Sequence, residues 1–172
     1  MINYSNYFKL FGLDFAFEIE EEKLDKAWRK ISNFVHPDRH RISSSMDQMA
    51  AIKLSSFVNN AYSILSNPIK RAQYICEYNG INFNNNIDIS KDFLSKQLEW
   101  RESLELIFNQ KDLSILNEFI SSLSKEMRER FEILCELLDN NIDYKKASLI
   151  IKELMFIDKI MQEAISYKKI NF

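Results

Sequence analysis

Apolar positions recur at helical spacing along almost the whole chain. Leu24, Ala27, Trp28, Ile31, Phe34 and Val35 fall at i, i+3, i+4, i+7, i+10 and i+11, which predicts an amphipathic helix with one buried stripe. Glu20-Glu21-Glu22 stands at its start, where the helix dipole favours carboxylates. Ahead of it, Tyr7 to Leu13 reads as a short apolar helical turn that Gly12 ends at its C-cap. Behind it, Pro37 disfavours helix at His36 and opens a loop to about Ser44. Ser43-Ser44-Ser45 then offers N-caps to a second long stripe of Met46, Ala50, Leu54, Phe57, Val58, Ala61 and Leu65. Asn67-Pro68 restarts the chain as N-cap and first helical residue of a short closing helix through Ile75.

The pattern lapses over residues 79–88, where Gly80 sits among asparagines, and this stretch is expected to be an interdomain linker. Three further helical segments follow at roughly 90–110, 112–138 and 144–168, with short polar turns near Lys111 and Asp139-Asn140-Asn141. Short turns favour antiparallel neighbours, so a three-helix bundle is expected. The chain therefore reads as all-α, with domains at 1–78 and 89–172.

Within the first of these helices, Phe93, Trp100, Leu104 and Ile107 share the arc expected to face the core. Leu94, Leu98 and Leu106 fall on its flanks, among Ser95, Glu99 and Glu102. Apolar side chains mixed with carboxylates and turned from the core make a candidate interface. In the last helix Ala147, Ile150, Ile151, Leu154, Ile157, Met161 and Ile165 form the expected inward stripe. Phe156 falls about opposite, beside Leu149 and Ile160, and is expected to point outward in want of a partner.

Composition agrees with helices. Only two glycines and two prolines occur in 172 residues, of which 46% are hydrophobic and 28% charged. Residues 1–78 carry 10 Lys and Arg against 9 Asp and Glu, and the remainder 13 against 16. Neither half has the basic excess that phosphate neutralisation demands, so nucleic acid is not an expected partner. Cys76 and Cys135 stand far apart without a C-x-x-C partner, which argues for reduced thiols and against a zinc site or disulfide framework. No apolar run approaches a membrane span and the first residues lack a secretory layout, so no membrane association and a cytoplasmic location are expected.

The charge has local structure. Lys23, Lys26, Arg29, Lys30 and Asn33 fall opposite the apolar stripe of their helix, giving it a basic side that leads into the loop tripeptide His36-Pro37-Asp38. Three readings of that loop compete. Pro37 and Asp38 break and cap helices in many proteins. His36, Asp38 and His40 could ligate a metal in a small enzyme, but a further ligand and a glycine-rich cradle are both missing. The third reading makes the loop a recognition element.

The third is favoured by a resemblance that spans essentially the whole chain. Asn6-Tyr7-Phe8-Lys9-Leu10-Phe11-Gly12-Leu13, His36-Pro37-Asp38, Asn67-Pro68-x-x-Arg71-Ala72-x-Tyr74 and Phe93-Leu94-x-x-Gln97-Leu98-Glu99 follow in the order and spacing of a family. The first half resembles a J-domain, and the chain as a whole is similar to HscB-type co-chaperones of iron–sulfur cluster assembly. The resemblance implies a J-domain hairpin with short flanking helices and a C-terminal three-helix bundle. It implies a non-enzymatic adaptor, without cofactor or metal, that stimulates the ATPase of an HscA/DnaK-type chaperone and binds an IscU-type scaffold.

The resemblance also assigns residues. Chaperone binding would fall to His36, Pro37 and Asp38, with Lys26, Arg29, Lys30 and Arg39 supplying basic surface. Pro37 restricts the backbone and helps hold Asp38 outward, suited to an arginine on the partner. Scaffold binding would fall to Leu94, Ser95, Leu98, Glu99, Glu102, Leu106 and Phe156. Two of these depart from the family pattern, which usually has methionine where Ser95 stands and an acidic residue where Leu106 stands. A J-domain adaptor with a different client remains the alternative.

Overall fold

A computed structural model describes residues 6–35, 45–84 and 89–172, and every regular element among them is helical. The helices are α1 (Tyr7–Phe11), α2 (Glu21–Val35), α3 (Ser45–Ser66), α4 (Pro68–Tyr78), α5 (Lys91–Gln110), α6 (Leu113–Cys135) and α7 (Tyr144–Asn171). The chain divides into two compact units, Met1–Ile75 and Cys76–Phe172. Past α4 the backbone turns at once, with Gly80 at φ +88° and its N–H donating to the Glu77 carbonyl. Residues 85–88 of the expected linker lie outside the described residues.

In the first unit, buried Asn6 caps α1 by accepting from the N–H groups of Phe8 and Lys9, and Gly12 closes the helix in the left-handed region at φ +67°. The cap seats Phe8, which is fully buried. Tyr7 stacks on Tyr74 at 4.5 Å, tying α1 to α4. Helices α2 and α3 pair antiparallel: Trp28 stacks on Tyr62 at 4.5 Å and donates to Asn59, while the Tyr62 hydroxyl donates to Asp25.

Arg71 is buried on α4. Its Nε donates to the Phe17 carbonyl at 2.8 Å, its Nη1 to the Leu65 carbonyl at 2.5 Å, and the guanidinium lies over the Phe17 ring. One side chain thereby joins the α1–α2 connection to the α3–α4 corner. Cys76 is also wholly buried, and burial pushes its thiol pKa up to about 12.

Two expected stripes are shorter than their periodicity implied. Leu24 and Val35 are buried, but Phe34 is 71% exposed. It occupies the edge of the α2 stripe on the wheel, next to Lys30, so a small rotation of the helix leaves it in solvent. On α3, Val58, Ala61 and Leu65 are fully buried, whereas Met46 and Ala50 at the start of the stripe are exposed. The packing of α3 is concentrated in its second half.

The second unit is a three-helix bundle with short, capped corners. Ser90, Asp112 and Asp143 accept from N–H groups in the first turns of α5, α6 and α7. Lys111 takes the left-handed conformation at the end of α5. The core joins Phe93, Leu104 and Ile107 of α5, Leu116, Phe119 and Leu123 of α6, and Ile157, Ile160, Met161 and Ala164 of α7. The second half of α7 is thus buried more broadly than one stripe, because both other helices pack there.

The end of α6 differs from the expected continuation to Leu138. The α-helix stops at Cys135 and widens into a π-turn, Glu136–Asn140, in which the Asn141 N–H donates to the Glu136 carbonyl five residues back. The Glu136 carboxylate accepts from the side-chain amides of Asn140 and Asn141. The wider turn leaves Leu138 buried.

Candidate functional site

The basic side of α2 is present. Lys26, Arg29 and Lys30 are all exposed. Lys23 and Lys26 pair with Glu20 and Glu22 one turn back, at 2.5 and 3.3 Å, in pairs open to solvent and therefore weak. His36, Pro37, Asp38 and Arg39 lie outside the described residues, as do His40 and Arg41. Helix α2 ends at Val35, whose side chain is 2% exposed and fixes that end of the helix in the core.

The outer face of α5 gathers six of the other candidates. Leu94, Leu98 and Glu102 recur at i, i+4 and i+8, and Ser95, Glu99, Glu102 and Leu106 at i, i+4, i+7 and i+11, which makes two adjoining ridges. All six are exposed, the three leucines by 49%, 60% and 60%. Leu106 lies at the far end, beside a groove shared with Ile115 and Phe119 of α6.

Phe156 corrects its expectation. It is half-buried, with its ring edge-on to Phe93 at 6.1 Å and the Arg101 guanidinium 5.5 Å from its centroid. Ile160, expected beside it on the outer side, is fully buried. The single-stripe assumption failed because α5 covers this flank of α7. Arg101 was missed by the sequence reading although it was findable: it is exposed and lies about 20° from Leu94 on the wheel.

Beneath the N-terminal end of this face runs an ion-pair chain. Lys96 of α5 pairs with Glu126 of α6 at 2.5 Å, Glu126 with Arg130 at 2.6 Å, and Arg130 with Glu153 of α7 at 2.8 Å. The Arg130 guanidinium also covers the Phe93 ring at 5.3 Å. Burial raises the Glu126 carboxyl pKa, but hydrogen bonds from Lys96 and Arg130 lower it more, so the net shift is down. A depressed folded-state pKa contributes stability above the ordinary glutamate value, and that contribution is lost as pH falls through the lowered one. The melting difference between wild type and Glu126→Gln is therefore expected to shrink as pH drops from 7 to below about 4.5. A difference that stays constant across that range would count against the coupling.

The sequence matches the DnaJ domain over residues 6–74 and the HSCB C-terminal oligomerisation domain over residues 89–165. It is 36% identical over 160 residues to the co-chaperone protein HscB homolog of Bordetella petrii, covering 92% of this chain and 93% of that protein. The chain belongs to the HscB co-chaperone family. The HscB homolog of Ralstonia nicotianae is 35% identical, with 91% of this chain and 90% of the relative covered. The solved chaperone HscB from Vibrio cholerae superposes with a TM-score of 0.87 at 28% identity, covering 97% of this chain and 99% of that one. Human co-chaperone protein HscB superposes at 0.88 with 22% identity, covering 95% and 82%, and so speaks for the fold.

Membership of the HscB family accounts for the J-domain motifs of the first unit and the bundle of the second. Among the described residues no helix is long and apolar enough to cross a membrane.

Proposed function

We propose that this HscB-family co-chaperone binds an IscU-type iron–sulfur scaffold on the outer face of α5 and presents it to an HscA/DnaK-type chaperone. The N-terminal unit stimulates that chaperone's ATPase through His36, Pro37 and Asp38, with Lys26, Arg29, Lys30 and Arg39 steering the encounter. The domain limits are 1–78 and 89–172 about a linker at 79–88, with the bundle as scaffold-binding domain. The protein acts in the cytoplasm as an adaptor with no reaction of its own.

One observation carries the scaffold reading: Leu94 and Leu98 stand exposed on a regular helix, one turn apart and bordered by Glu99 and Glu102. Apolar anchors with a charged rim are the layout of a protein-binding hot spot. Ser95 and Leu106 extend the ridge, and Phe156 adds the exposed part of its ring at the flank.

The test is calorimetric titration with an IscU-type scaffold. Leu98→Ala is expected to weaken binding about tenfold, since truncating a central anchor typically costs about 1.4 kcal/mol or more. Its melting temperature should match wild type, because Leu98 lies outside the core. No measurable binding by the wild-type chain would sink the scaffold reading, and intact chaperone stimulation alongside it would point to another client.

A further inference from the structure

Phe34 stands in solvent at 71% exposure, on the same side of α2 as its lysines. Helical geometry sets it one turn beyond Lys30, in line with Lys26 and Lys23 at i−8 and i−11. The stripe is three ammonium groups followed by an aromatic ring, and it ends two positions before the tripeptide His36-Pro37-Asp38 in the sequence. The Glu20 and Glu22 pairs leave their lysine side chains 63% and 77% exposed, so both are easily given up to an outside carboxylate. Among the described residues Lys30 has no ion-pair partner.

An exposed phenylalanine rimmed by lysines is unfavourable in water and well suited to an interface, where the ring is buried and the charges find counterparts. Resting on the reading of this unit as a stimulator of a DnaK-type ATPase, we infer that Phe34 is the apolar anchor of the chaperone-docking face. The surface it fits is an acidic one, with an apolar recess about one helical pitch, roughly 5 Å, from the carboxylate that meets Lys30. Charge complementarity selects that partner, and Phe34 stands two positions before the tripeptide proposed to meet the same chaperone. Met46 and Met49, 81% and 59% exposed at the start of α3, add adaptable apolar side chains at the same end of the antiparallel hairpin. The lysines then govern how fast the complex forms, and Phe34 how long it lasts.

The experiment measures steady-state ATPase of a DnaK-type chaperone and binding kinetics across a salt series. Phe34→Ala should raise the concentration for half-maximal stimulation about tenfold, mainly through faster dissociation, while leaving the salt dependence unchanged. Lys30→Ala should lower the association rate and flatten the salt dependence. Phe34→Leu should stay within about threefold of wild type, whereas Phe34→Gln should behave like the alanine variant, because the recess reads apolar bulk. All four should melt with wild type, since neither position belongs to the core.

Wild-type stimulation together with an unchanged Phe34→Ala variant overturns this inference and leaves the chaperone reading standing. Failure of the wild-type chain to stimulate any DnaK-type chaperone overturns both. A wild-type dimer that Phe34→Ala dissolves, with stimulation unaffected, also overturns it and assigns the ring to a second copy of this chain.

Discussion

Replacing Arg71 by methionine is expected to cost the N-terminal unit about 3 kcal/mol, read as a lowered urea midpoint at unchanged slope. Arg71 is 6% exposed, and its guanidinium donates to the carbonyls of Phe17 and Leu65 while lying over the Phe17 ring. Methionine fills similar space but leaves both carbonyls without this donor, and each buried unsatisfied group costs about 1–3 kcal/mol. Lysine should recover little of the loss. A single ammonium cannot span two acceptors on separate segments in the way a planar guanidinium does. The two units can unfold separately, so the transition should be followed by Trp28 fluorescence in a variant whose other tryptophan, Trp100, is replaced by phenylalanine. A midpoint within experimental scatter of wild type would show that the corner holds without Arg71.

Asp38→Asn is expected to abolish chaperone stimulation while scaffold affinity stays at the wild-type value. The substitution keeps shape and removes charge, so it isolates the carboxylate from the loop that bears it. A charge-assisted bond from a partner arginine is much stronger than a neutral one, and removing one member of such an interfacial pair commonly costs about 2–5 kcal/mol. That is a loss of stimulation by a factor of about 30 or more. The anchored Val35 side chain makes unfolding of α2 an unsuitable explanation for the loss, and the melting curve checks it. Stimulation by Asp38→Asn at the wild-type level would refute the role given to this carboxylate.

Much of the fold was legible because helical period and punctuation agree. Gly12, Pro68 and the capping residues Ser90, Asp112 and Asp143 mark helix ends wherever they occur, and those signals are local. What escaped depended on neighbours. Phe34 lies at the margin of its stripe, where a modest rotation decides between core and solvent, and periodicity alone does not fix that rotation. Ile160 was misplaced because a helix packed by two partners buries two faces, while a wheel with one inward direction assumes one. The π-turn after Cys135 carries polar bonds from the Asn140 and Asn141 amides to Glu136, which a hydrophobic pattern does not register.

The α5 surface was read more successfully than Phe156, for a related reason. Leu94, Leu98 and the neighbouring carboxylates belong to one regular helix, so their common exposure follows from spacing. Phe156 depends on how α5 lies across α7, and its contacts with Phe93 and Arg101 join residues more than fifty positions apart. The basic partners Arg71, Arg101 and Arg130 share that character. In each, the contact with an aromatic ring is set by packing and not by local spacing, although Arg71 already stands in a sequence motif.

The burial of Cys76 bears on what chemistry that sulfur can undergo. Burial pushes the thiol pKa up to about 12, so at neutral pH the sulfur is held as the neutral thiol, whereas the thiolate is the form that binds metal or attacks a disulfide. A sulfur so protected takes no part in metal capture or disulfide exchange while the helix stays packed. Helix α4 thus uses this cysteine as a small apolar side chain of the packed interior, with its sulfur withheld from exchange.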